Sequence, residues 1–218
     1  MGVYLNPGNS MFAEIVRSEI YVDKTELINC TNKVLGTLQK FVCISRPRRF
    51  GKSMAANMLA AYYGKECDSE ELFAPYKIAT HENYKKYLNQ YNVIMINMQD
   101  FLSVTSSVEE MTAYLQSEVM EELREAYPGL IPEKECFLSM ALNKIYSKTS
   151  ESFVFIIDEW DCILRERKNN ADEQKKYLDF IRNLLKDKAY VALAYMTGIL
   201  PIKNMVPIRH PICSMNIL

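Results

Sequence analysis

Two short groups of residues carry the chemistry that this sequence can support. The first is Gly51-Lys52-Ser53, which closes the run "SRPRRFGKS". A glycine lets backbone approach an anion, a lysine reaches phosphate oxygens, and a serine hydroxyl can ligate Mg²⁺. The second is Asp158-Glu159, at the end of the apolar run "FVFIID". At a phosphate centre, Asp158 would hold the Mg²⁺ shell, in part through water. Glu159 would orient and deprotonate an attacking water. Ser53 and Asp158 are therefore the candidate metal ligands, and Lys52 and Glu159 the candidate catalytic residues.

Each group is weak by itself. A GKS triplet often sits at an ordinary helix start, and a strand can end in acidic turn residues. The full phosphate-loop pattern wants a glycine five residues before Gly51, where this chain has Arg46. Pro47 pushes Arg46 toward extended backbone, so the loop entry cannot follow the usual glycine turn. Placement strengthens the reading. A buried strand runs into the loop and a helix leaves it, which brings free N–H groups and the helix dipole to one anion site. Asp158-Glu159 stand at the C-terminal end of a later strand, where open α/β sheets bind ligands.

The wider nucleotide-contacting set is Arg48, Arg49, Phe50, Gly51, Lys52, Ser53, Met54 and Thr197. Arg48 and Arg49 either touch phosphate oxygens or are solvated loop charges. Thr197, at the end of the last strand, either senses a γ-phosphate or serves as a cap or turn residue. Trp160 is expected to pack rather than to bind adenine. His81 and His210 lie in contexts that assign them nothing.

The elements that must position these residues are legible from periodicity. "FVCIS" (41–45), "VIMINM" (93–98), "FVFIID" (153–158) and "YVALAYMT" (190–197) are mostly continuous apolar runs, as in strands covered by helices on both faces. Between them, Tyr177, Phe180, Ile181, Leu184 and Leu185 form a helical stripe within 170–188. Val108, Met111, Leu115, Val119 and Leu123 form another within 107–125, with Ser107 and Glu110 spaced as a capping box. Leu138, Leu142 and Ile145 mark a helix after Pro132. Met54, Met58 and Tyr62 turn one face of the helix after Lys52 toward the sheet, and Gly64 can end it. Strands alternating with helices give a three-layer α/β domain with a mostly parallel sheet and right-handed crossovers. Residues 1–40 read as a separate lead-in, with a short strand at "IYVDKT" and a helix over roughly 25–38.

Composition limits the alternatives. The chain has 218 residues and a net charge of −1, which gives no bulk attraction to nucleic acid or anionic membrane. Its six cysteines, at 30, 43, 67, 136, 162 and 213, are scattered and form no CxxC pair. They read as reduced, buried thiols of a soluble cytoplasmic protein. No apolar run is long enough to span a bilayer.

At "YVDKT" (21–25), "ISRPRRFGKS" (44–53), "IIDEWD" (156–161) and "YMTGILPIK" (195–203) the chain resembles the predicted AAA-ATPase-like family of anaerobic bacteria. The resemblance covers about residues 5–203, and Arg46 in place of glycine is itself the family's pattern. It implies a P-loop NTPase fold of the additional-strand type with sheet order 5-1-4-3-2. It implies ATP and Mg²⁺ as ligands, with Lys52 and Ser53 in a Walker A role and Asp158 and Glu159 in a Walker B role. Complete relatives usually continue into a restriction-endonuclease-like domain, so contact with nucleic acid would be indirect. An oligomer, with an arginine finger from a neighbour, stays open.

After Lys203 the chain departs from the family. Codons can be chosen for Asn204–Leu218 that, read from the third nucleotide, spell YGTHSASNMFNEYS, which is similar to the family continuation. The expectation is a core over 41–203 truncated before its fifth strand, followed by an out-of-frame tail over 204–218. Loss of that strand would expose the P-loop strand as a sheet edge and lower stability and turnover. The leading function is an ATP-binding, ATP-hydrolysing module that drives or regulates an appended or partner domain. The alternatives are an occupancy switch without turnover, a small-molecule kinase, and a non-functional fragment of such an ATPase.

Overall fold

The structure is a computed structural model and describes residues 1–200. Its centre is a sheet of four parallel strands: β1 (Phe41–Ser45), β2 (Asn92–Asn97), β3 (Phe153–Asp158) and β4 (Val191–Gly198). They lie in the order β1-β4-β3-β2, every pair parallel. Among the described residues this is the 1-4-3-2 part of the expected order 5-1-4-3-2. The expected tail over 204–218 lies outside the described residues, as does any fifth strand there.

The chain order of helices is α1 (Ser10–Val16), α2 (Glu26–Val34), α3 (Lys52–Tyr63), α4 (Glu70–Phe73), α5 (Tyr84–Tyr87), α6 (Met98–Ser103), α7 (Val108–Ala126), α8 (Leu138–Thr149), α9 (Cys162–Glu166) and α10 (Ala171–Leu185). The alternation of side chains along β3 divides the core in two. Phe153, Phe155 and Ile157 pack with Leu115, Leu142 and Leu184 from the later helices. Val154 and Ile156 pack with Phe12, Ile28, Met58 and Tyr62 from the earlier ones. Every residue of β3 and β4 is buried, which is why these strands read as continuous apolar runs.

Side-chain caps fix the starts of α6, α7 and α10. The Ser107 side chain accepts the Glu110 N–H at 3.2 Å and so caps α7. The Glu110 carboxylate reaches back to Ser106, accepting from its N–H at 2.8 Å and its hydroxyl at 2.6 Å, one residue earlier than a standard capping box. Asn170 caps α10 by accepting the Glu173 N–H at 3.1 Å. Helix α8 begins at Leu138, several residues beyond Pro132. Met58 and Tyr62 face the sheet as expected, whereas Met54 is 39% exposed.

The lead-in departs from expectation twice. No strand forms at residues 20–25. The Asp23 carboxylate accepts the N–H groups of Thr25 at 2.8 Å and of Lys77 at 3.1 Å, and these bonds, one local and one distant, hold the segment in a turn. The segment is also not separate. Phe12, Leu27, Ile28 and Val34 belong to one of the two core clusters. Leu5 bridges Ile94 antiparallel, covering the outer edge of β2. Helix α2 stops at Val34, short of residue 38, because Leu35 is extended and Gly36 turns left-handed at φ 72°.

Candidate functional site

Strand β1 delivers the chain to a loop over residues 46–51 at the C-terminal edge of the sheet. Its start is tied to β4, with Arg46 N–H donating to the Gly198 carbonyl at 3.1 Å. Two residues of the loop take left-handed backbone, Arg49 at φ 69° and Gly51 at φ 73°. Gly51 is the N-cap of α3. Lys52 opens that helix and folds back over the loop, donating from Nζ to the carbonyls of Arg46 at 3.1 Å and Pro47 at 3.2 Å. It is 7% exposed. The lysine is thus folded back onto its own loop, held by two loop carbonyls.

The two chemical groups of the sequence meet. Ser53 Oγ donates to Asp158 Oδ2 at 2.5 Å. Asp158 Oδ1 accepts the Glu159 N–H at 2.9 Å and the hydroxyl of Thr197. Thr197 is fully buried, so the structure uses it to hold Asp158 from the neighbouring strand. Glu159 turns off the strand in left-handed backbone at φ 50°, which carries its side chain away from the line of β3.

The Glu159 carboxylate is ion-paired with Arg165 on α9. Arg165 also lies 3.2 Å from Asp161 Oδ1 through Nε, close enough for an ion pair but not aligned as a hydrogen bond. Asp161 is fully buried, and its Oδ2 accepts the N–H groups of Ile199 at 2.9 Å and Leu200 at 2.7 Å. A continuous polar chain therefore runs from Glu159 to the segment leaving β4. Trp160 is 1% exposed and packs in the core, as expected.

A polar cavity of about 660 Å³ is lined by Arg48, Arg49, Gly51, Lys52, Ser53, Met54, Asp158 and Glu159, together with Asn97, Gln99 and Glu166. Arg48 and Arg49 thus lie on the candidate site. An adjoining cavity of about 430 Å³ is mainly apolar, lined among others by Ile20, Tyr21, Val22, Phe50, Met54 and Met58. Arg49, Gly51 and Met54 line both. Phe50, 58% exposed, lines the apolar cavity.

The candidate set missed Asn97, Lys24, Asp161 and Arg165. Asn97 could have been found, because it ends β2 in register with Asp158 and parallel sheets bind ligands at that edge. Lys24, Asp161 and Arg165 carry no such signal. They reach the site through side-chain contacts, in the case of Lys24 a bond from Nζ to the Phe50 carbonyl at 3.1 Å. Burial pushes the Cys43 thiol, on β1, up to about 12. Among the described residues, no group of three or more His, Cys, Asp or Glu side chains is arranged to hold a metal ion. No described helix is long and apolar enough to cross a membrane.

Comparison with known proteins gives a family. The family described as "AAA-ATPase_like: Predicted AAA-ATPase" matches residues 7–206. No curated protein matches. Among solved structures, the chain is similar to the Aeropyrum pernix ORC2 protein in ADPNP-ADP complexes, with 11% identity and a TM-score of 0.39 over 85% of this chain. It is also similar to Cdc6p from Pyrobaculum aerophilum, with 14% identity and a TM-score of 0.38 over 87% of this chain. It spans 44% and 42% of those two chains, less than half of each.

Proposed function

The chain belongs to the predicted AAA-ATPase family, and from that premise we propose that it binds ATP with Mg²⁺ and hydrolyses it to drive or regulate an appended or partner domain. The observation that carries this reading is the contact between Ser53 Oγ and Asp158 Oδ2 at 2.5 Å, beside Lys52. Hydroxyl and carboxylate are already within the span of one small cation. Mg²⁺ is commonly held by one or two protein oxygens, with phosphate oxygens and water completing its shell. The pair fits that donor set, and the bound ion would neutralise charge on the β- and γ-phosphates.

The remaining roles follow from the lining of the two cavities. Lys52 would exchange the Arg46 and Pro47 carbonyls for phosphate oxygens, and Arg48 and Arg49 would add positive charge at the mouth. The apolar cavity beside Phe50 and Tyr21 is suited to the base, and Met54 stands between the two ends of the ligand. Glu159 would accept a proton from water attacking the γ-phosphate, with Thr197 keeping Asp158 in place behind it. Cytoplasmic location and indirect involvement with nucleic acid through a nuclease-like partner belong to the same proposal.

A second reading is supported by one observation. The Glu159 carboxylate is engaged by Arg165, so the proposed base is held in an ion pair. A chain that keeps this pair with nucleotide bound would act as an occupancy switch without turnover. Calorimetry with ATP·Mg²⁺ on the chain and on Lys52→Ala tests binding. Phosphate release from the chain and from Glu159→Gln tests hydrolysis. Binding that survives Lys52→Ala would overturn both readings. Binding without phosphate release would select the switch.

A further inference from the structure

Within the segment "YVDKT" at residues 21–25, Lys24 has no assigned task, although it lies beside the phosphate loop. We propose that Lys24 is a positioning residue for that loop, holding the Phe50 carbonyl outward so that the Gly51 N–H is aimed at the phosphate. This inference rests on the proposed phosphate-binding role of the loop.

The loop lacks the glycine that would shape its entry, so other contacts must hold it. Its first half is held by Arg46 N–H on Gly198 and by Lys52 on the Arg46 and Pro47 carbonyls. The second half holds two left-handed residues, Arg49 at φ 69° and Gly51 at φ 73°, on either side of Phe50. For arginine that conformation is unfavourable, so it needs an external hold. Lys24 supplies one, donating from Nζ to the Phe50 carbonyl at 3.1 Å. The Phe50–Gly51 peptide is trans, and in a planar trans peptide C=O and N–H point in opposite directions. Fixing the carbonyl toward Lys24 fixes the Gly51 N–H on the other side. A methyl group added at Gly51 would come within 3.1 Å of Lys24 Nζ, which shows how closely the lysine lies over this peptide.

Lys24 is itself held from both sides. Asp23 accepts the N–H groups of Thr25 and Lys77. The buried Thr25 hydroxyl oxygen accepts the Ile78 N–H at 3.2 Å. The lysine therefore projects from a fixed base rather than from a floppy lead-in.

The test uses the full chain with Lys24→Met, which keeps the stem and removes the donor, and Lys24→Arg, which restores one. Lys52→Ala is the control. Calorimetry with ATP·Mg²⁺ and with inorganic tripolyphosphate·Mg²⁺ is paired with amide hydrogen exchange over residues 49–53 of the nucleotide-free protein and with thermal melts. We expect Lys24→Met to weaken both ligands by roughly fivefold, the worth of one hydrogen bond. It should also speed exchange over 49–53 and leave the melt unchanged, while Lys24→Arg recovers most of the binding. Unchanged binding overturns the proposal. So does a loss confined to ATP, which would place Lys24 at the base, and so does weaker binding with unchanged exchange, which would make it a direct charge on the phosphate. If the wild-type chain binds neither ligand, the phosphate-site reading falls, and this one with it.

Discussion

The Ser53 hydroxyl donates to Asp158 Oδ2 at 2.5 Å, joining residues 105 positions apart in the chain. Ser53 is the second residue of α3, and Asp158 is the last of β3. The contact exists because β4 lies between β1 and β3 and brings the C-terminal ends of both strands to one edge. With this pair removed from one side, by Ser53→Ala, nucleotide affinity should lose its dependence on Mg²⁺. Titrating ATP with Mg²⁺ and with excess EDTA reads this directly, and equal Mg²⁺ enhancement in wild type and variant would exclude Ser53 as a ligand.

Lys52→Ala should weaken ATP roughly tenfold to a hundredfold, the worth of charge-assisted bonds to phosphate. The same change also removes the bonds to Arg46 and Pro47, so a modest fall in melting temperature is expected without nucleotide. Calorimetry and a thermal melt separate the two effects.

Asp158→Ala removes the acceptor shared by Ser53, Glu159 N–H and Thr197. Thr197 is fully buried and would be left with an unpaired hydroxyl, so about 1–3 kcal/mol of stability should be lost. Thr197→Val removes the donor and keeps the shape, and should be milder. Chemical denaturation of both variants checks the order.

Arg165 is shared between Glu159 and the buried Asp161. Arg165→Met leaves Asp161 without its cation, whereas the same change in an Asp161→Asn background does not. A double-mutant cycle in denaturant should therefore give a coupling of about 1 kcal/mol or more between the two positions. Additive effects would mean that the pair contributes little.

A pH-linked contribution lies at the other end of the sheet. Burial raises the Glu151 carboxyl, but bonds from Lys65, Tyr127 and Asn92 outweigh it and hold the group below its ordinary value. A lowered carboxyl contributes stability that is present above its unfolded pKa and is lost as pH falls through the folded value. Glu151→Gln should flatten the fall in melting temperature on acidification below about pH 5. An unaltered acid limb would exclude this group as its source.

How much was legible in the sequence depends on how local the cause is. The four strands are visible because continuous apolar runs are what two-sided burial requires, and β3 and β4 are buried throughout. Helices α7 and α10 are visible in their apolar stripes, and α7 also in its Ser107 cap. The missing strand at 20–25 was not, because Asp23 answers to Lys77, far along the chain. The sequence offers Phe50 as a nucleotide contact without a part of the site attached, and Thr197 as either a γ-phosphate sensor or a cap or turn residue. Their sorting, one to the apolar cavity and one to the back of Asp158, depends on neighbours from the lead-in and from β3.

Residue types and short-range spacing alone determined the two chemical groups, Gly51-Lys52-Ser53 and Asp158-Glu159, and the alternation of strand and helix that carries them. Those features depend on backbone conformation and on side-chain periodicity within one element. Only the tertiary structure decided that Ser53 touches Asp158, that Thr197 supports it, that Arg165 holds Glu159, and that Lys24 lies over the Phe50–Gly51 peptide. Each of these is a contact of a few ångströms between elements distant in sequence. Such a contact is set by the packing of α1–α3, α9 and the lead-in on the sheet, which no local pattern encodes.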